Sequence, residues 1–370
     1  MTDFSARLDA LSAAGNLRQI PGDTGTDEII DFSSNDYLGL AERSELQAQF
    51  MADEGNRLSP MTSSASRLLA ARQADHIQLE DTLHGLYTGR DVVLMNSGYH
   101  ANTGMVPALA SGGKTLILAD KLVHASIIDG IMLSKSEFRR FPHNDFDRLE
   151  RAIAEKSSGY PGGILVIVES VYSMDGDRAD IEHLIDIKRR HPEVMLYVDE
   201  AHAFGVEGPR GLGLVAASSA PEMVDVVVGT FGKALASTGA FVAARPEIIR
   251  WAVNSARSLI FSTSLPPIVS RWTRFMIDTM TEMDAEREHL RRLGRILTPD
   301  ERHIVPHIVG NAALTVELSR KLLDLGMKVL PIRTPTVPPG TERLRISLSA
   351  ARTVDEVTRL RDAINRLTSL

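Results

Sequence analysis

The chain has 370 residues, more than one hydrophobic core usually spans, so two lobes are expected. Its 43% hydrophobic and 24% charged residues are those of an ordinary soluble globular protein, and a net charge of −7 argues against a general nucleic-acid binder. There is no cysteine, which excludes disulfides, thiolate metal sites and thiol catalysis, and no run approaches the roughly 18 uninterrupted apolar residues of a membrane span.

The first segment, "MTDFSARLDALSAAGN", lacks an apolar signal core and predicts a short amphipathic helix ending at Gly15, consistent with a cytoplasmic protein. Between about residues 90 and 245, seven strand-like runs alternate with helical segments: "DVVLMNSG", "TLILAD", "EFRRF", "ILVIVES", "VMLYVDEAH", "VDVVVGT" and "GAFVAA". Continuous apolar runs of this kind fit strands buried on both faces, so an α/β domain with a mostly parallel sheet is expected. Polar residues gather where the runs stop, among them Asn96, Asp120, Glu169, Asp199, His202 and Thr230. In open α/β sheets ligands bind outside the carboxyl ends of the strands.

After about residue 260 the texture changes. "SLPPIVSRW" breaks the pattern, a long charged amphipathic stretch follows, and "LTVELSRKLLDLGMKVLPI" reads as helix, glycine stop and strand. "TERLRISLSA" alternates like a half-buried strand, and a closing helix is capped at Thr353. These elements describe a smaller α+β lobe.

Two stretches point elsewhere. "VDEAH" (198–202) matches the acidic box of helicase-type ATPases, and "ASGGKT" (110–115) resembles a phosphate loop. A phosphate loop follows a strand and opens a helix, however, whereas "GGKT" leads straight into "TLILAD". The nucleotide-driven reading fails on that polarity.

Lys233, directly after the apolar run of "VVVGTFGK", is the residue to explain. Most lysines are solvated; one at the end of a buried strand can instead be a desolvated amine able to form a Schiff base. Asp199 ends another apolar run, where an aspartate is commonly a cap, and His202 follows three residues on. A carboxylate for a pyridinium nitrogen and a lysine for an imine are what pyridoxal 5'-phosphate (PLP) requires. "NSGYHANTG" (96–104) has the polarity of a phosphate cradle, with Gly98 allowing close backbone approach, and His124 could stack on a flat ring.

With these parts in view, the chain resembles the PLP-dependent α-oxoamine synthases over nearly its whole length, a family with the aspartate-aminotransferase-like fold (fold type I). The matching stretches include "FSSNDYLGL", "NSGYHAN", "DKLVHASIIDG", "RRFPHND", "ESVYSMDGD", "VDEAHAFGV", "GTFGKALASTGA" and "FSTSLPP". The resemblance implies an N-terminal segment (1–37) packing with the small domain, a PLP-binding α/β domain (38–260) with a seven-stranded sheet, and a small C-terminal α+β domain (261–370). It makes Lys233 the cofactor-bearing lysine, Asp199 the partner of the pyridine nitrogen and His124 the ring-stacking residue. Ser173 and His202 would meet the phenolic oxygen, and Gly98 and Tyr99 would lie in the cofactor pocket. Thr230 would hold the phosphate with Thr263 of a second subunit, so a homodimer is implied.

"RRFPHND", "DEAHAFGVEGPRGLG" and "LPIRTPTVPPGTERLRISLSA" favour the branch that condenses L-alanine with pimeloyl-CoA or pimeloyl-acyl carrier protein in biotin synthesis, with glycine C-acetyltransferase or another α-oxoamine synthase as the alternative. Arg345 and Asn35 would then hold the amino-acid carboxylate, and Arg18 and Thr336 would contact substrate. The family's glycine-rich "GSGGSR" reads "TSSASR" here (62–67), a departure from the pattern.

Overall fold

A computed structural model describes residues 3–13, 15–18, 20, 29–110, 114–156 and 159–368; part of the "ASGGKT" stretch lies outside them. The chain divides into two compact units. The larger comprises residues 38–173 and 177–287, the smaller 1–37, 174–176 and 288–370. No helix among the described residues is long and apolar enough to cross a membrane.

Strand β1 (Ile30–Asp31) belongs to the smaller unit; the next seven form the sheet of the larger one. They are β2 (Asp91–Met95), β3 (Leu116–Asp120), β4 (Phe138–Phe141), β5 (Ile164–Glu169), β6 (Val194–Asp199), β7 (Val226–Thr230) and β8 (Ala240–Ala244). Their order is β2-β8-β7-β6-β5-β3-β4, and β8 alone runs antiparallel to its neighbours. All seven strand-like runs are thus strands of one sheet. β3, β5, β7 and β8 are buried at every residue, as a sheet covered on both faces requires, whereas "FRRF" of β4 is exposed at three of its four positions because it lies at the edge.

Two close approaches in this unit depend on glycine. A Cβ at Gly130 would stand 2.7 Å from the Asn102 carbonyl oxygen, so glycine lets helix Ala125–Ser134 lie against helix Gly98–Leu109. One at Gly229 would stand 2.3 Å from the Phe241 ring, which occupies that space and stacks on Phe231 with centroids 5.6 Å apart. Phe204 and Tyr87 complete this aromatic layer, at 5.0 and 5.4 Å from Phe241.

The larger unit extends to residue 287, where the sequence reading ends it at 260. Helix Pro267–Thr281 packs on helix Ala74–Leu86, and Arg271 pairs with Asp75 at 2.7 Å, which ties residues 261–287 to the α/β layer.

In the smaller unit, β9 (Ile304–Ile308), β11 (Leu330–Ile332) and β12 (Arg343–Ser347) form an antiparallel sheet in the order β11-β12-β9, and β1 pairs in parallel with β10 (Met327–Lys328). The expected half-buried alternation of β12 is not found: all five residues are buried, because Arg343 pairs with Asp175 and Arg345 with Asn35. The closing helix, Val354–Thr368, has a reciprocal cap, in which the Glu356 N–H donates to Thr353 Oγ1 and the Thr353 N–H to Glu356 Oε2. At the other terminus, helix Phe4–Ala13 stops where predicted. Gly15 has φ +66°, and the N–H groups of Gly15 and Asn16 return to the carbonyls of Ser12 and Leu11.

Candidate active site

Strand β7 ends at Thr230, and the segment to β8 closes on itself through hydrogen bonds from Phe231 N to Gly239 O and from Ser237 N to Phe231 O. That closed loop carries Lys233, half-buried, with Nζ 2.8 Å from His202 Nε2. His202 is delivered by the turn after β6, three residues beyond Asp199.

Asp199 is 3% exposed and its carboxylate is fixed at both oxygens. Oδ1 accepts from the Ala201 N–H at 2.9 Å and Oδ2 from Asn102 Nδ2 at 2.8 Å. Asn102 in turn accepts at Oδ1 from the Tyr197 hydroxyl (2.7 Å) and donates from Nδ2 to Ser126 Oγ (2.9 Å). Ser126 lies 2.8 Å from His124 Nδ1. One buried amide therefore links the aspartate to the histidine. Burial lowers the His124 pKa, opposed by the Asp199 charge and reinforced by that of Lys233, which keeps the imidazole neutral near pH 7.

Glu169 ends β5 in register with Asp199. Burial pushes its carboxyl well above the usual range; the Asp199 charge adds to this, while Lys233 and the facing backbone N–H groups of His124 and Ser173 oppose it. Its Oε1 is buried with no hydrogen-bond partner among the described residues.

Gly98, Tyr99, His124, Asp199, His202, Thr230 and Lys233, all singled out from the sequence, line one cavity of about 160 Å³ in the larger unit. Asn102, Ser126, Glu169 and Ala201 complete its wall and were assigned no role by the sequence reading. Asn102 had a signal: it lies four residues after Gly98, one helical turn on along the same face. Ser173 is buried behind the wall, its N–H facing Glu169. Thr263 is exposed and lies outside the wall; it bridges Ser66, and its carbonyl accepts from Asn96.

The residues fit PLP. Gly98, the first residue of its helix, lies beside Thr230 at the end of β7, where a Cβ on the glycine would stand 3.7 Å from Thr230 Cβ, an ordinary contact. Helix Gly98–Leu109 opens onto this cavity, with Ser97 capping the His100 N–H. An amine, a fixed carboxylate and a neutral imidazole face the same space, the set that a pyridine aldehyde requires.

The remaining site candidates lie in the smaller unit. Arg345 is 3% exposed; both terminal nitrogens reach Asn35 Oδ1 at 3.2 Å, and Nη1 also reaches Ser347 Oγ at 3.3 Å. Tyr37 donates to the same Asn35 oxygen at 3.0 Å. Arg18 Nη2 meets Thr336 Oγ1 at 3.3 Å beside a cavity of about 270 Å³ that Asn16 and Arg333 also line. In the departing segment of the larger unit, Ser64 takes φ +50°, in the left-handed region that favours glycine.

The chain belongs to the aminotransferase class I and II family, whose model matches residues 27–364. It is a PLP-dependent acyltransferase of the α-oxoamine synthase type, with the fold type I architecture. It is 44% identical to a Pasteurella multocida protein named "Putative 8-amino-7-oxononanoate synthase", over 96% of each chain. A protein of the same name from Neisseria meningitidis is 42% identical over 96% of this chain and 98% of its own. Among solved structures, S. paucimobilis serine palmitoyltransferase with a PLP–myriocin adduct superposes with a TM-score of 0.87 at 26% identity, covering 99% and 98% of the two chains. The 8-amino-7-oxononanoate synthase of Francisella tularensis superposes with a TM-score of 0.77 at 25% identity, covering 93% and 99%.

Proposed function

We propose that this chain acts as an 8-amino-7-oxononanoate synthase, condensing L-alanine with a pimeloyl thioester of coenzyme A or acyl carrier protein and releasing CO2 and the free thiol carrier. The observation that carries this reading is the convergence of Lys233, Asp199 and His124 on one cavity, in a chain with full-length relatives of that name.

Bound PLP supplies an electron sink for the carbanion at the substrate's α-carbon. Lys233 would hold the cofactor through Nζ and, once displaced by the amino group of alanine, take the α-proton there as general base. His202, 2.8 Å from that amine, keeps it aimed into the cavity and, with Ser173, would meet the phenolic oxygen. Asp199, fixed by Asn102 and Ala201, would hold the ring nitrogen's proton. His124 would stack on the ring and, being neutral, polarise the acyl carbonyl without adding charge. Gly98 and Tyr99 would lie in the cofactor pocket and Thr230 would help hold the phosphate, with Thr263 reaching it from a second copy of the chain in a homodimer. Asn35 and Arg345 would hold the alanine carboxylate, a task suited to a guanidinium fork, and Arg18 and Thr336 would meet the acyl donor.

The test compares specificity constants for pimeloyl, succinyl and acetyl thioesters with alanine and with glycine. Pimeloyl thioester with alanine should be best. One methyl separates the two amino acids, so alanine should lead by only about 10–200-fold. A lead for acetyl-CoA with glycine would instead make the chain a glycine C-acetyltransferase.

A further inference from the structure

Behind the cavity wall lies a charged cluster that the proposed chemistry leaves unused. His143 stands in the turn between β4 and helix Phe146–Lys156. Its Nδ1 is 3.0 Å from Asp120 Oδ1, and its Nε2 is 2.7 Å from Asp177 Oδ2. Neither carboxylate can donate, so both ring nitrogens must, and the ring is an imidazolium. Burial alone would lower its pKa, but the hydrogen bonds and charges of Asp120 and Asp177 outweigh burial and push it up to about 10. Asn144 joins the same two aspartates, with its N–H 2.9 Å from Asp120 Oδ2 and its Nδ2 2.8 Å from Asp177 Oδ2. The Tyr172 ring packs edge-on against the imidazole at 4.4 Å.

The two aspartates belong to different segments of the wall. Asp120 ends β3 and fixes the turn toward His124, accepting the Leu122 N–H at 2.7 Å. Asp177 closes the hairpin that carries Ser173: Val171 bridges Arg178, and the Tyr172 N–H donates to the Asp177 carbonyl at 3.0 Å. The two segments converge at Glu169, whose carboxyl faces the N–H groups of both His124 and Ser173.

We propose that His143 is a positioning residue for the cofactor site: by bridging Asp120 and Asp177 it locks the turn bearing His124 to the hairpin bearing Ser173, and so keeps both in place at the cavity. The proposal rests on the reading of the Lys233 cavity as the PLP site.

Asp177→Ala cuts only the hairpin arm and leaves His143 paired with Asp120; His143→Gln removes the cation from both. The measurements are PLP affinity by spectral titration of apoprotein, the kcat and KM of reconstituted enzyme, and the apoprotein melting temperature. Asp177→Ala, which removes the acceptor of both His143 Nε2 and Asn144 Nδ2, should weaken PLP binding about tenfold or more and lower kcat more than it raises the KM for alanine. Asp177→Asn, which keeps an acceptor for Nε2, should recover most of the affinity. His143→Gln should weaken PLP binding at least as much as Asp177→Ala; if it does not fold, Asp177→Ala decides alone. Parent-like PLP affinity and kcat in Asp177→Ala, with only the melting temperature lowered, would reduce the cluster to a structural brace. Borohydride treatment of the parent separates the two ideas. If the cofactor is not fixed to Lys233, the cavity reading falls and the proposal with it; if it is fixed and Asp177→Ala binds normally, only the clamp falls.

Discussion

In the larger unit, Asp120, Glu169, Asp199 and Thr230 are all strand ends, each delivered by an apolar run of the same kind. In the smaller unit, Arg345 sits in mid-strand and meets Asn35 across 310 residues of sequence. A parallel sheet satisfies its backbone internally and leaves its terminal side chains available to a ligand. The antiparallel cluster must bury a guanidinium and gather its acceptors from a distant segment, so binding and packing there are one problem. Substitutions at the strand ends that line the cavity, Asp199 and Thr230, should therefore cost function with little loss of stability, whereas Arg345 should cost both.

The largest effect is expected at Lys233. Lys233→Ala should cut turnover by about 10⁴-fold or more, since a general base alone contributes up to about that factor. Borohydride should fix PLP to the parent and not to the variant, and the melting temperature of the two apoproteins should agree. Labelling of another lysine would break the assignment.

Asp199→Asn should come next, with kcat lower by about 10²–10³-fold, the cost of removing one charge aimed at the reacting system. A variant within about threefold of the parent, well under 1 kcal/mol of barrier, would make Asp199 a strand-end cap.

Arg345→Lys tests the other side of the contrast. Loss of the forked contact should raise the KM for alanine about tenfold, and loss of the buried fork on Asn35 should lower the melting temperature as well. An unchanged melting temperature would show that the two regions respond alike. Asn102→Ala should have a smaller effect on turnover, about tenfold, the low end for one hydrogen bond to a charged group. It also removes the acceptor of the buried Tyr197 hydroxyl.

A further effect, read in stability rather than in turnover, is the dependence on pH. The pKa of His143 is raised from 6.5 to about 10 in the folded chain, so its stabilising contribution is complete below about pH 6.5 and is lost as pH rises toward 10. Melting temperature should decline over that window in the parent, and the decline should be shallower in His143→Gln. Equal slopes would remove His143 as its source.

The same contrast explains what could be read in advance. Six of the seven strands were legible because burial on both faces leaves continuous apolar runs, and the chemistry collects where those runs stop; β4, "FRRF", is exposed at three of its four positions. Asn102 was not legible as a partner of Asp199, because a polar residue on a buried helix face shows its purpose only when the strand 97 residues away is in place. The alternation of "TERLRISLSA" misled for a related reason: Arg343 and Arg345 are buried, and their partners Asp175 and Asn35 come from far along the chain. The lobe boundary moved because helix Pro267–Thr281 takes its place from a long-range packing partner, not from its own composition.

The packing of Phe241 over Gly229 bears on how the pocket can be re-engineered. Gly229 precedes Thr230, and its missing side chain is the space in which the Phe241 ring lies. Even alanine at 229 would push that ring against Phe231, Phe204 and Tyr87, and through Phe231 disturb the closed loop that carries Lys233. A substitution library aimed at new donors should thus leave position 229 unvaried, although it has no side chain in the cavity.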